Sequence, residues 1–114
     1  MGMPDTARRY TVDEVLAFPD DGNRYELVDG ELLVTPAPAQ RHEIVLFELA
    51  IQVHEYLAAV PGVARAFFSR GDVTWGPGEY VQPDLFVVPA REVTGNWRDC
   101  QHLLLVAEVV GRKM

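Results

Sequence analysis

Leu103-Leu-Leu-Val-Ala-Glu-Val-Val110 decides the reading of this chain, because every residue in it is apolar except Glu108. An unbroken apolar run of this length suits a central β-strand buried on both faces. An ionised carboxylate inside such a run is costly unless it is paired, hydrogen-bonded or bound to a cation. A second stretch, Gln82-Pro-Asp-Leu-Phe-Val-Val88, sets another acid, Asp84, at the head of an apolar strand. Two acids in neighbouring central strands could converge on one divalent cation, and hard oxygen ligands favour Mg²⁺ or Mn²⁺ over softer metals. Such an ion can activate water and clamp a phosphate, which is what phosphodiester hydrolysis needs. The structural alternatives stay open. Asp after Pro is a common turn residue, so Asp84 could cap a strand start, and Glu108 could pair with a buried Arg.

Working outward, the pattern is that of an α/β domain. Tyr10 to Phe18 reads as a short helix, with Thr11 as N-cap, Glu14 completing a capping box and Pro19 stopping it. Arg24 to Thr35 reads as a β-hairpin turning at Asp29-Gly30, the dipeptide suited to a type I′ turn. That turn pairs Val28 with Glu31, Leu27 with Leu32 and Glu26 with Leu33. Gln40 to Ala59 is the longest helix, with His42, Val45, Leu46, Leu49, Val53, Tyr56 and Leu57 along one apolar stripe. Ile44, Phe47 and Ile51 make a second stripe, so cover on more than one side is expected. Val63 to Ser69, Asp72 to Trp75, Tyr80 to Val88 and His102 to Val110 read as strands. Ala90 to Gln101 reads as a loop or short helix.

The chain has 114 residues, enough for one core and too few for two. A flexible N-terminus over 1–9 and a single domain over 10–114 are expected. No apolar run approaches the length of a membrane span, the start carries no signal-peptide core, and the single Cys100 forms no internal disulfide. A cytoplasmic location without membrane association follows as the expectation. The net charge is −7, with nine Arg and one Lys scattered along the chain. That argues against a protein living on non-specific phosphate contacts, but not against an enzyme that meets nucleic acid through a bound cation.

In order, Tyr10-Thr-Val-Asp-Glu-Val-Leu-Ala-Phe-Pro19, Arg24-Tyr-Glu-Leu-Val-Asp-Gly-Glu-Leu32, the His42 helix, Gln82-Pro-Asp-Leu-Phe-Val-Val88 and Val106-Ala-Glu-Val-Val110 resemble the Uma-type endonuclease family, a branch of the PD-(D/E)XK restriction-endonuclease-like superfamily. The resemblance spans Tyr10 to Val110. It implies a mixed β-sheet flanked by helices and a Mg²⁺-dependent site for DNA cleavage. Asp84 then matches the Asp of the "PD" element and Glu108 the second acid, both as metal ligands. Glu26 matches the Glu of the family's Tyr-Glu-Leu motif; its structural alternative is an exposed hairpin residue. His42 matches the His that opens the long helix, where it could position water or contact phosphate. A satisfied core histidine is the commoner role for such a residue. His54 and His102 show no partner in the sequence, and Glu31 reads as a solvated turn flank.

Two departures from the pattern bear on activity. Val110 stands where the superfamily has Lys, and Gly111 replaces the Ser that usually follows in this branch. The family's later helix, with its Lys, and its closing strands have no counterpart before Met114, so a C-terminally truncated member is expected. Lys113 has the wrong strand parity relative to Glu108, and Arg112 cannot exchange a proton near neutral pH. An apolar strand left at an edge invites self-association, so a homo-oligomer, a dimer, is expected. The alternative function is a non-enzymatic self-associating or protein-binding module that keeps the fold.

Overall fold

The computed structural model describes residues 8–68 and 71–110. The chain forms two units, one of Met1–Ala37 with Val73–Gln82 and the other of Pro38–Asp72 with Pro83–Met114.

In the first unit, helix α1 (Val12–Leu16) begins at Thr11, whose hydroxyl accepts from the Glu14 amide while the Glu14 carboxylate accepts from the Thr11 amide. This reciprocal exchange satisfies two amide donors that a helix start leaves open. Strands β1 (Arg24–Val28) and β2 (Glu31–Thr35) form the expected hairpin, with Val28 opposite Glu31, Leu27 opposite Leu32 and Glu26 opposite Leu33. Asp29 and Gly30 both adopt positive φ, at 51° and 76°, as a type I′ turn requires. The turn is tied down further: Tyr10 N–H donates to the Gly30 carbonyl, and Gly30 N–H donates to Gly78 O. Strands β4 (Val73–Gly76) and β5 (Glu79–Val81) complete an antiparallel sheet ordered β2-β1-β5-β4, where β3 is numbered with the second unit below. Val15, Leu27 and Tyr80 form its core, with Tyr10, Phe18 and Tyr25 around them in edge-to-face ring contacts.

In the second unit, helix α2 (Gln40–Ala58) lies against strand β3 (Ala64–Phe68). Of its less exposed positions, His42, Leu46, Leu49, Val53 and Leu57 fall within the expected stripe and Ala50 does not. Val45 and Tyr56 are exposed, and so are Ile44, Phe47 and Ile51, so the expected cover on a second side is not present among the described residues. The sheet is antiparallel with order β3-β6-β7, where β6 is Leu85–Pro89 and β7 is Leu105–Ala107. Residues Leu85 to Pro89 are all buried. Phe86 stacks with Phe67 and Trp97 at centroid distances of 5.7 and 6.0 Å. Two 3-10 turns, Ala90–Glu92 and Trp97–Asp99, connect β6 to β7.

Two strand expectations change. Tyr80 to Val88 is not one strand: Gln82-Pro83-Asp84 divides it, and its halves β5 and β6 join different sheets. Pro83 has no amide to donate to a ladder, which favours a break there. The central strand of the second sheet is β6, whereas the run Leu103 to Val110 supplies only a three-residue edge strand with Leu105 and Val106 exposed. These differences leave the α/β, restriction-endonuclease-like class in place, built here from antiparallel pairings in two sheets.

Candidate active site

The register of β6 and β7 sets the two acids. Leu85 pairs with Ala107 and Phe86 with Val106, so Asp84 and Glu108 are the residues just beyond the last pair, at the adjacent ends of the two strands. The two residues cross-brace the point where the strands part. Asp84 N–H donates to Glu108 Oε1 at 3.3 Å, and Val109 N–H donates to Asp84 Oδ2 at 2.8 Å. The second bond turns the Val109 amide onto a side chain, which gives a physical reason for β7 to stop at Ala107. Asp84 is 3% exposed. Glu108 is exposed just beyond the strand, not buried within it as the apolar run suggested.

Helix α2 brings a third group. In its first turn, His42 Nε2 lies 3.1 Å from Asp84 Oδ2, and His42 Nδ1 lies 3.0 Å from Glu43 Oε1. Burial works to lower the His42 imidazole, but its hydrogen bonds to Asp84 and Glu43, with their negative charges, outweigh burial and hold it above the ordinary histidine range. His42 is thus a hydrogen-bonded, half-buried histidine whose partner is the candidate site itself.

Glu26 belongs to the other unit. It is not an exposed hairpin residue: its side chain is mostly buried, and Oε2 accepts from Gln82 N–H at 2.7 Å. Arg24 Nη1 donates to the Gln82 carbonyl at 3.0 Å, so Arg24 and Glu26 grip both polar groups of one peptide position. Glu31 is exposed beside the turn, as expected. Val110, at the position of the superfamily's Lys, is exposed, while Gly111, Arg112 and Lys113 lie outside the described residues.

Glu92 and His102 form a polar cluster that the sequence did not reveal. Buried Glu92 accepts from the amides of Gln101 (2.8 Å) and His102 (2.9 Å), and its other oxygen meets His102 Nδ1. The only sequence sign was an acid in a short linking segment, with no periodicity tying it to a histidine ten residues on.

The matched family model is Uma2, described as "Putative restriction endonuclease", over residues 12–112. The chain belongs to the Uma2 family. No curated protein matches it. Membership supports a nuclease function in outline, with DNA the substrate class the family description suggests. Among the described residues of this Uma2 member, no group of three His, Cys, Asp or Glu side chains is arranged to hold a metal ion, and no helix is long and apolar enough to cross a membrane.

Proposed function

We propose that this Uma2-family chain is a metal-dependent DNA endonuclease whose Asp84 and Glu108 hold Mg²⁺ or Mn²⁺, with residues 10–114 acting as one nuclease-like domain in the cytoplasm. The observation that carries the reading is the meeting of Asp84 and Glu108 where β6 and β7 part, through Asp84 N–H to Glu108 Oε1 and Val109 N–H to Asp84 Oδ2. Two acids at adjacent strand ends can offer oxygen ligands to one divalent cation. The donor set fits the ion. Mg²⁺ is typically held by one or two carboxylates and completes its shell with water and substrate phosphate, so a three-residue protein cage is not required.

When bound, the ion would supply a water of lowered pKa and positive charge against the scissile phosphate. The protein's own groups do the positioning. Val109 N–H and His42 Nε2 both reach Asp84 Oδ2, so the carboxylate is oriented from strand and helix at once. Orientation of a ligating carboxylate by such outer hydrogen bonds governs metal affinity. Glu26 stays a weaker site candidate by its place in the family's Tyr-Glu-Leu motif; its contact with the Gln82 amide lies within the first unit.

The test is plasmid nicking in Mg²⁺ or Mn²⁺ together with calorimetric titration of the same ions. Asp84→Asn and Glu108→Gln should abolish both the binding heat and the nicking, with folding checked by circular dichroism. Wild-type protein that nicks no faster than these variants would show the catalytic assignment to be wrong.

A further inference from the structure

Strand β7 is three residues long and lies at a sheet edge, and its own residues do little to fix its register. Leu103, Leu104 and Leu105 are alike, and Leu105 and Val106, on opposite faces, are 45% and 47% exposed. A slip by one residue would exchange those faces at little loss of burial, which is the condition for a weakly specified register. The contacts with β6 show the ambiguity. Val87 pairs with Leu105, and Leu104 N–H donates to the Val87 carbonyl at 2.7 Å, so two successive leucines address one β6 residue.

Two carboxylates hold the ends of this strand. At its exit, Val109 N–H donates to Asp84 Oδ2 while Asp84 N–H donates to Glu108 Oε1. At its entrance stands Glu92, buried in the 3-10 turn that directly follows β6. Its Oε1 accepts from the amides of Gln101 and His102, nine and ten positions later, and its Oε2 meets His102 Nδ1. Hydrogen bonds to an ionised carboxylate are stronger than those of a neutral ladder. A slip of β7 would withdraw the His102 ring and leave a buried carboxylate short of a donor, a cost that the leucines do not impose. We infer that Glu92, through His102, pins the register of β7 and thereby positions Glu108, six residues further on, beside Asp84. Both are positioning residues that act through the strand. The inference deepens the nuclease reading and rests on it for the role of Glu108, whereas its first test is read without metal.

That test is amide hydrogen exchange followed by NMR in the metal-free protein. His102→Ala removes the ring bond and leaves Glu92 its two amide donors, so the fold is spared. It should speed exchange at Ala107 and Val109 about tenfold or more, as expected for one lost hydrogen bond to a charged group. It should also shift the Asp84 amide resonance as Glu108 leaves it. Arg65 and Phe67 of β3, paired with Val88 and Phe86, should keep their rates. His102→Asn, whose side-chain amide stands where Nδ1–H stood, should restore the wild-type pattern. In calorimetry His102→Ala should weaken Mg²⁺ binding on the order of tenfold, with recovery in His102→Asn. Unchanged exchange at Ala107 and Val109 in His102→Ala overturns the inference, as does His102→Asn no slower than His102→Ala. Wild-type Mg²⁺ affinity in a His102→Ala protein with a loosened β7 overturns the positioning of Glu108. Loosening of β7 in a protein whose wild type binds no Mg²⁺ supports the pin and refutes the nuclease reading alone.

Discussion

Replacing Gly71 with Ala tests the core of the second unit. A Cβ at Gly71 would stand 2.5 Å from Cζ and 2.8 Å from Cε1 of Phe86, and 3.0 Å from Cζ3 of Trp97. These are rigid ring atoms. Phe86 is fully buried and paired with Phe67 on β3 and Val106 on β7, and Trp97 sits edge-on to Phe67 at 5.0 Å. The ring cannot swing aside without moving the central strand, so one added methyl forces strain of the overpacking kind, about 1–3 kcal/mol. Phe86→Leu alone removes three side-chain carbons and should cost about 2–3 kcal/mol at roughly 0.8 kcal/mol per buried carbon group. In the double variant the two nearest obstructing atoms, those of the Phe86 ring, are gone, and only Trp97 Cζ3 at 3.0 Å remains close. The two losses should then fall short of additive by about 1 kcal/mol or more, a coupling expected only of residues in contact. Urea unfolding of the four proteins, followed by tryptophan fluorescence, measures the cycle. Additivity within about 0.5 kcal/mol, or a neutral Gly71→Ala, would refute the reasoning by showing that the backbone at Gly71 yields instead of the ring.

Glu92 makes the stability depend on acid pH. Burial works to raise its carboxyl, but the amides of His102 and Gln101 and the His102 ring outweigh burial and hold it below the ordinary 4.5. Its contribution is therefore complete above about pH 4.5 and is lost as the pH falls through the lower folded value. Glu92→Gln should flatten that part of a melting-temperature profile, and parallel profiles for variant and wild type would exclude the role. Thr11→Ala removes the hydroxyl of the α1 capping box and should cost about 1 kcal/mol in urea unfolding; no change would mean that the Glu14 carboxylate alone holds the helix start. Gly30→Ala places a Cβ at φ 76° and 3.0 Å from Arg9 Cδ, and should cost about 1–2 kcal/mol. Gly30→Asn, better tolerated at such φ, should recover part of it.

Some of this protein was determined by neighbours in sequence. The α1 capping box and the β1–β2 register each follow from interactions spanning a few residues, and Asp29-Gly30 leaves the hairpin one low-energy turn and hence one pairing. The run of apolar residues drew notice to Asp84 and Glu108, and Asp84 is indeed buried, but Glu108 is exposed just past β7 and not inside a buried strand. What lay beyond the sequence was which strand stands beside which. The apolar runs ending at Val88 and Val110 look alike, yet β6 is buried between two strands and β7 lies at an edge, since burial is conferred by neighbours distant in the chain. For the same reason only the fold brings His42 to Asp84 across 42 positions, Glu92 to His102 and Glu108 to the Asp84 amide. Hydrophobic periodicity shows which side of an element seeks cover; it carries no record of the polar partner waiting on the next one.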